Sequence, residues 1–170
     1  FGEIYYLLDI PEKIKDNEKK PLLIFLHGAG ERGNGKDQLD LVCVNALPHY
    51  ASEGAEYPFI MLCPQCPEEI VWNNIVFDLK LLIDTVAKEY GADMNKISIT
   101  GISMGGFGSW EMGISFPDFF SAIAPVCGGG FSWRCDKLRN MPVWAFHGDA
   151  DMVVPMKNSV EMVDAVNKNG

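Results

Sequence analysis

Apolar and polar positions along this chain switch repeatedly between two periods. Residues 4–10 are apolar and aromatic and stop at Pro11, and the charged stretch 12–20 reads as a turn. Pro21-Leu22-Leu23-Ile24-Phe25-Leu26 is an unbroken apolar run, the mark of a strand buried on both faces. It ends at His27-Gly28, and a polar loop follows to about Asp37. Phe59-Ile60-Met61-Leu62 predicts a second short buried strand, closed by Pro64 and Pro67. From residue 73 to 90 the period lengthens. Val76, Leu79, Ile83, Val86 and Tyr90 recur at spacings of three and four, one face of an amphipathic helix. Asn73 or Asn74 can cap its start, and Gly91 its end.

Strands are expected at 96–100, 120–126 and 142–146, with helices from the glycine-rich turn after Thr100 to about Phe116 and at 159–166. No internal repeat interrupts the alternation. Strands alternating with helices predict a three-layer α/β/α sandwich around a mostly parallel sheet, as a single domain spanning 1–170.

Composition narrows the function. The chain has 170 residues, 48% hydrophobic and 22% charged, which is globular usage. Its net charge of −9 repels phosphate backbones, so no nucleic-acid partner is expected. No apolar run approaches the roughly 20 residues that span a bilayer, so no membrane partner is expected either. Five cysteines include Cys63-Pro-Gln-Cys66, but no second pair or downstream histidines complete a zinc set. Idle thiols are the expectation, with no metal.

The chemistry concentrates in Gly101-Ile102-Ser103-Met104-Gly105, a G-x-S-x-G between a predicted strand and a predicted helix. A serine on so tight a turn is crowded, and small residues two before and two after it relieve the crowding. The turn lifts the Ser103 Oγ above the sheet and aims the Met104 N–H at a developing oxyanion. Leu26-His27-Gly28-Ala29-Gly30 follows an early buried strand and can supply a second donor, the Ala29 N–H. Gly28-Ala29-Gly30-Glu31-Arg32-Gly33 also spells a dinucleotide fingerprint. That reading fails, because Asn34-Gly35-Lys36-Asp37 breaks the helix it needs. Late in the chain, Asp149 and Asp151 compete as the carboxylate that would orient an imidazole, with Asp149 the better candidate for a plain turn residue.

These segments, with Cys63-Pro-Gln-Cys66-Pro67 and Phe146-His147-Gly148-Asp149-Ala150-Asp151-Met152-Val153-Val154-Pro155, resemble the α/β-hydrolase superfamily. More narrowly they are similar to bacterial esterases related to phospholipase/carboxylesterases, feruloyl esterases and polyhydroxybutyrate depolymerases, some labelled predicted peptidases. The resemblance implies Ser103 as nucleophile, Ala29 and Met104 as backbone oxyanion donors, and Asp151 as the acid. It also implies a histidine after the acid, whereas His27, His49 and His147 all precede Asp151. The expectation is therefore a chain beginning at a fragment boundary and lacking the last strand, that histidine and a final helix.

The expected activity is hydrolysis of a small-molecule carboxylic ester through an acyl-enzyme, with no cofactor. A peptidase of the same fold and an inactive binding domain are the rivals. Phe107, Trp110, Phe131 and Trp133 are candidate walls of an aromatic acyl pocket, and Trp72 is placed before a helix on the same face. Oligomeric state is left open.

Overall fold

The computed structural model describes residues 3–11 and 19–169. Five strands form one sheet: β1 (Tyr6–Asp9), β2 (Lys20–Leu26), β3 (Ile60–Pro64), β4 (Ala92–Ile102) and β5 (Ala122–Val126). Their order is β1-β3-β2-β4-β5, with β1 antiparallel to β3 and every other pairing parallel. Most of the turn expected at 12–20 lies outside the described residues.

Parallel neighbours need long crossovers, and helices supply them. Here α1 (Ala46–Ser52) lies between β2 and β3, α2 (Val76–Glu89) between β3 and β4, α3 (Met104–Ser115) between β4 and β5, and α4 (Lys157–Asn169) comes last. The apolar run of β2 explains its central place. Leu22, Ile24 and Leu26 pack on one face with Trp72, Leu79 and Ile83, while Phe25 packs on the other with Val42, Met61 and Cys63. Each such buried side chain contributes roughly 1.5–3 kcal/mol. The helices α2, α3 and α4 cover the first face; α1 and a 3-10 turn at Leu39–Cys43 cover the second. The expected three-layer, mostly parallel sandwich is what the chain forms.

Three details differ from the sequence reading. The helix α1 was not expected; its Pro48 falls in the first turn, where a missing N–H costs nothing. The strand β4 begins at Ala92, before the apolar alternation, and a register irregularity between Lys20 and Leu22 accommodates the extra residues. Finally, 142–146 runs beside β5 only through isolated parallel bridges, Ile123 with Val143 and Val126 with Phe146. The chemical reason is Pro125. Ile123 N–H donates to Pro142 O, Trp144 N–H to Ile123 O, Phe146 N–H to Pro125 O and Cys127 N–H to Phe146 O. The rung between them needs an N–H that Pro125 lacks.

This topology fixes where a site can form. The chain leaves β2 toward β3 on one side, and β4 lies on the other side of β2. In open parallel sheets a crevice opens outside the carboxyl ends of strands whose connections diverge in this way. Gly28-Ala29 follows β2 and Ser103 follows β4.

Candidate active site

Ser103 is the hinge between β4 and α3. Its backbone sits at φ 55° and ψ −117°, a left-handed conformation that costs a non-glycine residue about 1–3 kcal/mol. The neighbours show what holds it. A Cβ at Gly101 would lie 2.5 Å from the Gly105 carbonyl oxygen, and one at Gly105 would run into the Leu26 carbonyl oxygen. Only glycine lets β2, β4 and α3 approach this closely. The turn is closed by the Ser103 N–H donating to Val126 O at 3.0 Å and by Phe107 N–H donating to Ser103 O at 3.0 Å. Among the described residues the Ser103 hydroxyl has no hydrogen-bond partner. Met104 opens α3, so its N–H has no carbonyl within the helix to bond.

The loop after β2 lies against this turn. A Cβ at Gly28 would sit 3.8 Å from Ser103 Cβ and 3.7 Å from Ile102 O. Ala29, exposed, begins a 3-10 turn at Ala29–Glu31. Beneath it His27 is buried and has both ring nitrogens engaged. Its Nδ1 contacts Gly28 O at 2.6 Å and its Nε2 contacts the Cys66 N–H at 2.9 Å. A carbonyl only accepts and an N–H only donates, so the ring is neutral with its proton on Nδ1. Burial pushes the His27 pKa below its ordinary value, in keeping with that state. Trp72 Nε1 donates to His27 O at 3.0 Å, and the two rings meet edge-on at 5.0 Å.

On the far side, Asp151 Oδ1 accepts the N–H groups of Val153 and Val154, each at 2.9 Å. The Val154 and then the Val153 N–H hold its carboxyl below the usual aspartate value. Asp149 is exposed in the turn beside it. His147 contacts Ser159 Oγ and Val154 O, both at 2.7 Å, and its Nε2 is 3.6 Å from Asp151 Oδ2. His49 lies on α1 against Tyr50, at 5.4 Å between rings, with no bond to Ser103 or Asp151. Cys127, just after β5, links the two sides. Burial pushes its thiol up, the Ser103 backbone N–H pulls it down, and the Asp151 carboxylate pushes it up again.

A cavity of about 600 Å³ opens beside Met104, lined by Val71, Asn73, Phe107, Gly130, Phe131 and Asn158. Phe107, one of the candidate walls, lines this cavity. Trp133 does not line the cavity; it is 78% exposed, with its ring 6.1 Å from that of Phe131. Trp110 and Trp72 are fully buried core residues rather than walls. Val71, Asn73 and Asn158 carried no motif signal, because they converge from two distant segments. All five cysteines are free, and burial pushes Cys66 up to about 12 and Cys63 higher still. Among the described residues no three His, Cys, Asp or Glu side chains gather as a metal site.

A strand-turn-helix serine, a glycine loop against it and a late acidic loop, all at the carboxyl edge of a mostly parallel sheet, define the class. The chain has the α/β-hydrolase fold and resembles the esterases built on it. A thermostable esterase superposes with a TM-score of 0.82 at 33% identity, covering 98% of this chain and 48% of that one. A feruloyl esterase module from Clostridium thermocellum, complexed with sinapinate, shares the fold with a TM-score of 0.72 at 18% identity, covering 95% and 67% of the two chains. Poly(3-hydroxyalkanoate) depolymerase C from Paucimonas lemoignei is 30% identical over 53 residues, 31% of this chain and 13% of that protein. The chain thus spans about half the length of the esterase and aligns with a small part of the depolymerase. Peptidases share the fold too. No family model matches.

Proposed function

We propose that this chain is the core of a serine hydrolase that cleaves carboxylic esters, with Ser103 as nucleophile, Ala29 and Met104 N–H as oxyanion donors and Asp151 as the acid. One observation carries the reading: an unbonded hydroxyl at φ 55° stands between a free helix-start N–H and the loop after β2. Strain of this kind persists only where the surroundings over-determine it, and it clusters at reacting groups. The likeness to a thermostable esterase at 33% identity supports an ester substrate.

In the proposed reaction Ser103 Oγ bonds to the ester carbonyl carbon and gives its proton to a general base. The carbonyl π pair moves onto oxygen, where the two N–H groups stabilise it. Collapse breaks the bond to the alcohol oxygen, which takes the proton back from the base. Water then repeats the sequence on the acyl-enzyme and releases the acid. Asp151, ionised by its two backbone donors, orients the base. Among the described residues no histidine is placed to be that base. His27 and His147 use both ring nitrogens elsewhere, and His49 touches neither partner. The cavity walls carry no charged side chain, which suits an uncharged acyl group, small or feruloyl-type, with Phe107 and Phe131 as flat apolar surfaces.

A fluorophosphonate probe and intact-mass spectrometry test this. One adduct is expected on the wild-type protein and none on Ser103→Ala, with p-nitrophenyl acetate turnover lost in parallel. A wild-type protein that takes no adduct yet still binds ester analogues would be a binding domain, and the hydrolase reading would fall.

A further inference from the structure

The loop from Gly28 to Gln38 is long and polar, and apart from Ala29–Glu31 it has no regular structure of its own. Yet it must hold the Ala29 N–H steady. Its backbone groups converge on one side chain outside the loop. Gln65, directly after β3 and 2% exposed, donates from Nε2 to Gln38 O at 2.6 Å and to Glu31 O at 3.1 Å. Its Oε1 accepts the Gly35 N–H at 2.9 Å. Both amide protons and the amide oxygen are thus used, which also fixes the orientation of the carboxamide. The loop closes tightly over it: a Cβ at Gly33 would lie 2.6 Å from Gln65 Nε2. Alongside, the Gly33 N–H donates to Cys66 O at 3.1 Å, and Gln65 itself is anchored by its N–H to Tyr5 O at 2.8 Å.

We infer that Gln65 is a positioning residue for the oxyanion loop: its carboxamide fixes the end of the 3-10 turn that Ala29 begins, and so sets where the Ala29 N–H points. The inference rests on the proposed hydrolase reading for its effect on rate. It assigns a role to the Cys63-Pro-Gln-Cys66 segment that the thiols do not fill. Three backbone groups drawn from positions 31, 35 and 38 have one common partner. No hydrophobic residue could replace it without leaving buried polar groups unpaired. A donor must meet the oxyanion within a few tenths of an ångström to count, and a displacement of about 1 Å costs on the order of a hundredfold.

Two variants test it, both compared with the wild type. Gln65→Met keeps the length and removes all three bonds; Gln65→Glu keeps the shape and sets carboxylate oxygens against two carbonyls. For each, amide hydrogen exchange across 29–38 is followed together with kcat and KM for p-nitrophenyl acetate. The expected result is faster exchange confined to that loop, and kcat lower by roughly 10- to 100-fold with KM within about threefold. Unchanged loop exchange in a folded variant overturns the inference, as does unchanged kcat or a loss confined to KM. Should Gln65→Met fail to fold, Gln65→Glu at the same loop decides by the same readings. A wild-type protein with neither turnover nor adduct strikes the hydrolase reading instead. Loop exchange alone then decides whether Gln65 holds the loop.

Discussion

The loop after β2 and the loop around Asp151 differ in how far along the chain their holding partners lie. The loop after β2 is held from below by buried polar groups: His27 by Gly28 and Cys66, Trp72 by His27, and three backbone groups by Gln65. The acid loop draws its partners from nearer along the chain, with the buried side chain of His147 bonding Val154 O and Ser159 Oγ beneath it. Asp151 is oriented by the N–H groups of Val153 and Val154 in its own turn, and Met152 and Val153 are 93% and 86% exposed. The contrast follows from the work each would do. Backbone donors must already point at the place where negative charge will develop, because reorganising them during reaction would consume the gain. A carboxylate that orients a separate base needs only ionisation and a fixed direction, and two N–H groups supply both.

Changes at Asp151 should act mainly on rate, and changes beneath the loop after β2 mainly on stability. Asp151→Asn keeps the shape but removes the charge that in the proposed reaction holds an imidazolium, so kcat should fall by roughly 10⁴. Its melting temperature should stay close to that of the wild type, since the residue is held by its own turn. Steady-state turnover and a thermal melt on the same preparation check this. A large drop in melting temperature would mean that the acid loop is structural.

The second expectation reverses the pattern. His27→Ala leaves Gly28 O and the Cys66 N–H without partners and opens a hole under Trp72. It should cost about 2–4 kcal/mol of stability, read as a shift of the urea midpoint. A cost below about 1 kcal/mol would show that the buried network is not what holds the loop.

How much of this was legible in the sequence depends on how far the partners lie apart along the chain. The turn at Ser103 was readable because Gly101, Ser103 and Gly105 are neighbours, and the strands because β2 carries its burial on both faces in consecutive residues. The proposed acid and its donors were partly readable, since Asp151, Val153 and Val154 fall within four residues. Gln65 was not. Its loop partners lie 27 to 34 residues away, and they are carbonyls and an N–H, which any residue type carries. The aromatic residues misled for a related reason. Trp110 and Trp133 both looked fit to line a pocket, but composition does not tell a core tryptophan from an exposed one. The missing rung at 142–146 needed Pro125 of another strand to explain it.

The cavity beside Met104 gives a smaller effect. Phe131 lines it and Trp133 only flanks Phe131. Phe131→Ala should therefore lower kcat/KM for a feruloyl ester by about tenfold relative to an acetyl ester, the scale of one lost aromatic contact. Trp133→Ala should change that ratio by about twofold or less. A larger effect at Trp133 would mean that the acyl group leaves the cavity over the exposed ring.

The smallest effect separates the two loops by pH. Burial lowers the His27 pKa beneath its ordinary value of 6.5, so between the folded value and 6.5 the unfolded chain binds a proton that the folded chain refuses. The stability that His27 contributes is complete above that pH and declines as the pH falls through it. Asp151 behaves differently. Its folded pKa lies below the ordinary 3.8, so its contribution is complete above 3.8 and is lost only as the pH falls through the lower folded value. Urea midpoints at about pH 7 and pH 5 should therefore drop in the wild type and in Asp151→Asn alike, since only His27 of the two titrates in that window. In His27→Gln the decline should be reduced. Equal declines in all three proteins would place the acid sensitivity elsewhere, and the neutral, doubly bonded His27 would no longer account for how the oxyanion loop is held.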